Sequence, residues 1–407
     1  MRRGCALRLM AMMFVQIMVF PVWFTTVVPY VQTLPGGHAW VPFYGMLMAI
    51  GMFASSVVCM FADRFLDSGK VLLLCNVTAA AALTGAFFTQ NLYALAALLL
   101  LATFSIMPTW SLVSAVAMAH APKEMFPYIR SCGSVGYAAS AVFSIVAIKY
   151  FGFSDFETTP WIFVCGAATA LLAAVAALFL PPTPPRAKGE PLSIVDALGL
   201  RAFSLLKDRS VLVLSIILLL SMVSFQWYMG YNTMYLQEAG FKYLALTNNI
   251  GQIAELFFMM LLPFLIKKLG FKYSTLLGVG ALAFRYASFL VASKTGVHAC
   301  DFGGILVHGL IFGMLIVGVQ MHMAEIAPAA LRNQAQGFVM FLAAGLGGFL
   351  SVGIFNSILS ANRLPSGNHD WSVPFGVALA IALAAGMLFL FLYKDGAKNA
   401  PETRSEK

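Results

Sequence analysis

The chain of 407 residues is 60% hydrophobic and 10% charged, against roughly 45 to 50% and about 25% in an ordinary soluble protein. Its apolar residues fall in repeated blocks of about 20, the length a helix needs to cross a bilayer, so a soluble enzyme is excluded and an all-α polytopic membrane protein is predicted. The net charge of +9 comes from short Lys and Arg clusters between apolar blocks, with no basic, aromatic-laced domain, so it is a topology signal and not a nucleic-acid footprint.

About twelve spanning helices are predicted, centred near Val19, Phe53, Ala80, Leu99, Ala141, Leu171, Leu219, Phe258, Leu282, Gly313, Gly347 and Ala384. The first carries Trp23, Thr25 and Thr26 in its apolar run. After the second comes Ala62-Asp63-Arg64-Phe65-Leu66-Asp67-Ser68-Gly69-Lys70, in which Asp63 and Arg64 are a candidate conformational latch, Asp63 bonding a helix end or an Arg; the competing reading is a solvated charged loop. Asn76-Val77-Thr78 has the form of a glycosylation acceptor but lies inside an apolar block, out of reach of a transferase. The fifth helix opens with Arg130, and Arg130, Ser134 and Tyr137 can share one face, as a binding surface or around a snorkelling Arg.

The longest polar interruption runs from Pro181 to Ser210 and divides six helices from six, giving halves at 1–180 and 211–394, a cytoplasmic linker at 181–210 and a tail at 395–407. Ser193 to Leu206 reads as a helix on the membrane surface, with its apolar residues largely on one side. The seventh helix sets Gln226, Tyr228, Tyr231 and Asn232 together, a combination suited to stacking a ring while bonding its edge, or to an interfacial aromatic belt.

In the eighth helix Asn248, Gln252 and Glu255 follow i, i+4, i+7 and share a face. Of the 16 acids, only Glu255 lies well inside an apolar block, where an ionisable group is costly unless wetted or paired. The face therefore looks into a polar cavity, or Glu255 pairs with Arg285 of the next helix. His308 in the tenth helix is able to titrate near neutral pH, or packs as a hydrogen-bonded core residue.

With a cytoplasmic N terminus, Lys149, Lys242, Lys294 and Arg363 lie outside, Arg130 and Arg285 lie within helices, and the rest of the 25 Lys and Arg lie inside, which places both termini in the cytoplasm. The six cysteines are scattered without metal spacing, so free thiols, no metal and no cofactor are expected. A membrane enzyme would want a catalytic cluster at one face, and the adjacent pair His369-Asp370 reads as a turn in an outer loop. A receptor without transport would leave the burial of Glu255 without a reason.

Two six-helix halves joined by a long cytoplasmic loop resemble the major facilitator superfamily, whose substrates sit between the halves near the midplane. Within it the chain resembles the bacterial nucleoside:proton symporters, on Trp23-Phe24-Thr25-Thr26, Met107-Pro108-Thr109, Ile129-Arg130 with Gly133-Ser134-Val135-Gly136-Tyr137, Gln252-Ile253-Ala254-Glu255, Phe284-Arg285-Tyr286, and Ala327-Pro328-Ala329 leading to Arg332-Asn333-Gln334-Ala335-Gln336-Gly337. The resemblance implies a monomeric importer of nucleosides in the bacterial inner membrane, driven by protons. Arg130, Ser134, Tyr137, Gln226, Gln252 and Glu255 would line its site, Tyr228 or Asn232 would stand in for an amide that is Met229 here, and Glu255 with His308 would carry the proton. The family's tenth-helix acid is replaced by Gly313, which leaves a sugar porter or an uncoupled nucleoside facilitator open as alternatives.

Overall fold

The computed structural model describes residues 3–122, 125–185, 200–328, 335 and 338–394. Among them twelve long helices follow one another: Gly4–Gln32 (α1), Leu47–Arg64 (α2), Ser68–Phe87 (α3), Leu92–His120 (α4), Tyr128–Tyr150 (α5), Trp161–Leu178 (α6), Arg209–Glu238 (α7), 244–269 (α8), 271–295 (α9), His298–Met323 (α10), Phe338–Ala361 (α11) and Ser372–Leu392 (α12). Among the described residues the one β-bridge is an isolated antiparallel pair of Arg363 and His369.

Local chemistry sets the helix ends. Asp67 accepts from the Gly69 amide, Asn91 from those of Tyr93 and Ala94, and Asp208 from those of Ser210 and Val211, each satisfying donors that a first helical turn leaves unpaired. The run Leu244–Thr295 is 52 residues long and reverses at Gly270, whose φ of 76° and ψ of 168° lie outside the helical region; a residue without a Cβ takes that conformation freely. In α1 the helix is interrupted just before Pro21, which cannot donate to the preceding turn. Segments Phe312–Val317 in α10 and Phe341–Leu346 in α11 are π-helical.

The burial pattern is inverted relative to a soluble protein. On α8, Phe257 and Met260 are 61% and 82% exposed while Gln252 and Glu255 are 9% and 6% exposed, because lipid accepts the hydrocarbon and the protein interior must accommodate the polar groups.

Helices α1–α6 pack on one another, as do α7–α12, and the two halves meet along α1 with α7, α2 with α11 and α5 with α8. At the end of the first half that carries the loops after α2, α4 and α6, Asp67 also accepts from the Thr183 amide, and His120 Nε2 lies 2.9 Å from Thr183 Oγ1. The side chains of Asp63 and Arg64 lie outside the described residues. So does most of the expected surface helix, whose last part is a 3-10 turn over Leu200–Lys207.

Candidate functional site

Helix α10 lies directly on the backbone of α8. A Cβ on Gly309 would stand 2.3 Å from Glu255 Cα and 2.6 Å from its amide nitrogen, so only glycine permits this approach. The crossing brings His308, 2% exposed, against the polar row of α8. Gln252 Nε2 lies 3.0 Å from His308 Nε2, and Glu255 Oε2 lies 3.8 Å from the same nitrogen. The Gln252 amide can donate to that nitrogen when the imidazole is neutral. The imidazole ring stacks on Phe225 at 5.3 Å and lies beside Tyr228 at 5.6 Å.

Arg285 does not pair with Glu255, contrary to the structural alternative drawn from the sequence. Its Nε donates to the Gly304 carbonyl at 2.9 Å, and its guanidinium carbon sits 3.9 Å from the centre of the Tyr228 ring. The aromatic face and the α10 carbonyl hold the cation inside the second half. On the other side of the interface, Arg130 stands on α5 of the first half, the helix that packs against α8. Glu255 therefore lies beside His308 of its own half, on a helix packed against the Arg130-bearing helix of the other.

The polar row of α8 also differs in register from the predicted one. It runs through Asn249, Gln252 and Glu255, all buried. Asn249 Nδ2 donates across the interface to Ser140 Oγ at 2.9 Å and to the Tyr137 carbonyl at 3.3 Å. Asn248 instead accepts from Asn232 Nδ2 at 2.8 Å, which ties α8 to α7 and turns Asn232 away from Glu255. Tyr137 is buried and Ser134 half-buried on α5.

Gln226 stands apart from this group. Its Nε2 donates to the Ala343 carbonyl at 3.0 Å, and it lines a small space with Phe24, Met48, Met229, Gly348 and Val352. That space sits between the halves, walled by α1, α2, α7 and α11, and Met229 gives it an apolar side. Thr25 is occupied by a bond to the Pro21 carbonyl within its own helix, and Trp23 is fully buried. A Cβ on Gly313 would stand 3.8 Å from Met259 Sδ, so an acid at 313 would face α8 about one turn below Glu255.

Several buried polar residues escape sequence reasoning. Gln16, Asn76 and Thr109 form a hydrogen-bonded cluster across α1, α3 and α4, with distances of 2.7 to 3.0 Å. Asp301 accepts from the Tyr235 hydroxyl at 2.6 Å, and Glu157 is buried in the loop between α5 and α6. Both acids sit near helix ends, where a sequence offers nothing to separate a buried carboxylate from a solvated one. His369 is held by both oxygens of Glu238 at 2.8 Å, a clasp between the end of α7 and the loop between α11 and α12.

The sequence profile of the family described as nucleoside H+ symporter matches residues 3–398. The chain belongs to the nucleoside H+ symporter family. YegT of Escherichia coli strain K12, named as a candidate nucleoside transporter, is 28% identical over 95% of this chain and 93% of its own length. The nucleoside permease NupG and the xanthosine permease of the same organism are each 24% identical, covering 95% and 96% of this chain and 96% of theirs. The crystal structure of the nucleoside transporter NupG superposes with a TM-score of 0.82 at 21% identity, over 96% of this chain and all of that one, and a D-xylose-proton symporter with 0.74 at 14% over 96% and 98%. These likenesses show the major facilitator fold. The family members named are transporters and permeases, not enzymes.

Proposed function

We propose that this protein imports nucleosides together with protons across the bacterial inner membrane, by alternating access around the cleft between its halves. The observation that carries this reading is the setting of Glu255, a carboxyl buried at the junction of the halves, 3.8 Å from His308 and on the helix that packs against the α5 of Arg130. When ionised it attracts Arg130 across the cleft, and when protonated it releases that attraction. Proton occupancy thereby bears on how the halves sit together, with His308 sharing the proton. The amides of Gln252 and Gln226 bond ribose hydroxyls or base edges, Tyr137 offers a ring face and Ser134 adds to the polar lining, whereas Tyr228 and Asn232 are taken up by Arg285 and Asn248. The halves comprise 1–180 and 211–394, the protein acts as a monomer, and Asp63 with Arg64 latches the cytoplasmic face.

The test is uptake of labelled uridine, adenosine and a disaccharide into proteoliposomes with and without an outside-acid gradient. Gradient-dependent accumulation of a nucleoside is expected. Nucleoside entry that never exceeds equilibrium would favour the facilitator reading that Gly313 invites, and uptake of the disaccharide alone would overturn the substrate class.

Gln252→Ala is expected to weaken nucleoside binding by about 1 to 3 kcal/mol, the loss when a polar partner is removed from a buried site. Calorimetry on purified parent and variant reads this directly, and unchanged affinity would place the substrate elsewhere.

Both termini are cytoplasmic in this reading, from the Lys and Arg asymmetry. A periplasm-active reporter is expected to be silent when fused after Lys394 and active near Arg363; activity at both would reverse the topology.

A further inference from the structure

Helix α8 opens without a cap of its own. Tyr243 at its N-cap makes no side-chain bond, and the unpaired amides of a first turn need acceptors. They are supplied by the opposite half of the molecule. Glu157, in the loop between α5 and α6, accepts from the Leu244 amide with Oε2 at 2.8 Å and from the Ala245 amide with Oε1 at 2.8 Å. Ser144 of α5 donates to Oε1 at 2.6 Å and fixes the carboxylate in the first half. Glu157 is 4% exposed.

We propose that Glu157 is the outer gate residue of the transporter, positioning α8 by capping it across the two halves when the outer face is closed and releasing it when that face opens. The inference rests on the alternating-access reading above and adds to it a specific contact that each cycle must break. Three features support it. The cap is the only link in the described residues between a carboxylate of the first half and backbone amides of the second. One turn further along α8, Asn249 makes the next cross-half bond, to Ser140 and Tyr137, so the two contacts together close the outer end of the α5 and α8 seam. The helix they hold carries Gln252 and Glu255 farther along the same side, so a shift of its first turn moves the site.

The contact is also built to be releasable. Burial pushes the Glu157 carboxyl above its ordinary range, against the pull of its three donors. The carboxylate therefore recovers solvation when the halves part at this face, which offsets the loss of the cap.

Hydrogen–deuterium exchange on the full chain in lipid nanodiscs tests this without requiring knowledge of the substrate. Comparison of parent, Glu157→Ala and the near-isosteric Glu157→Gln, which turns an amide donor toward the Leu244 N–H, is expected to show about tenfold faster exchange at 244–245. Faster exchange is also expected at 137–141 on α5, with slower exchange at the cytoplasmic ends of α4 and α10 as the population moves to the outward-open form. A rise confined to 244–247 would reduce Glu157 to a local cap and overturn the gate, as would unchanged exchange throughout. Failure of both variants to fold would overturn it too, because a contact broken in every cycle cannot be indispensable to the fold. The transport reading stands or falls separately, on the uptake assay.

Discussion

Glu255→Gln is expected to abolish accumulation driven by a proton gradient while exchange of substrate across the membrane persists. The amide copies the shape and hydrogen bonding of a protonated carboxyl but cannot give the proton up, so the variant is held in the proton-loaded form. Uphill movement needs a proton to arrive on one side and leave on the other, and that step is removed. Exchange needs only the rocking of the halves around a bound solute, and the amide leaves Gln252 and the rest of the polar row in place. The effect is therefore a fall of the accumulation ratio to unity, with a much smaller change in exchange rate. Parent, Glu255→Gln and His308→Ala reconstituted side by side give the measurement. Persistent gradient-driven accumulation in Glu255→Gln would move the proton to His308, 3.8 Å away, or to another ion.

Gly309→Ala is expected to damage this site severely although it adds a single methyl group. The new Cβ would press on the main chain of α8, at 2.3 Å from Glu255 Cα and 2.6 Å from its nitrogen, and backbone has no alternative rotamer. Overpacking a core typically costs about 1 to 3 kcal/mol, and here relief requires α10 to move away from α8. That movement pulls His308 from Gln252 and Glu255, so stability and transport fall together. Gly313→Ala on the same helix is the internal control, because its Cβ meets only Met259 Sδ, at 3.8 Å. Thermal unfolding in detergent is expected to separate the two variants clearly. If Gly309→Ala melts with the parent, the α8 and α10 contact described here is wrong.

Composition and block length determined the class of this protein by themselves. Hydrocarbon tolerates only helices and closed barrels, and blocks of about 20 apolar residues select the helix, so the number of helices and the outlying position of Glu255 could be read in order along the chain. The family could be read as well, from short motifs whose order carries more information than any one of them. Tertiary structure decided which polar groups meet. Asn248 and Asn249 are neighbours in sequence, yet one turns to α7 and the other crosses to α5, because rotation of α8 about its axis is fixed by packing at Gly309 and not by any local preference. Arg285 was a plausible partner for Glu255 from sequence separation alone, and the structure spends it on the Tyr228 ring. Glu157 is the clearest case. It stands in a short loop between two helices, and the amides it caps belong to a helix that begins 87 residues later, a pairing of backbone donors with a distant side chain that leaves no pattern in the sequence because every residue carries the same N–H.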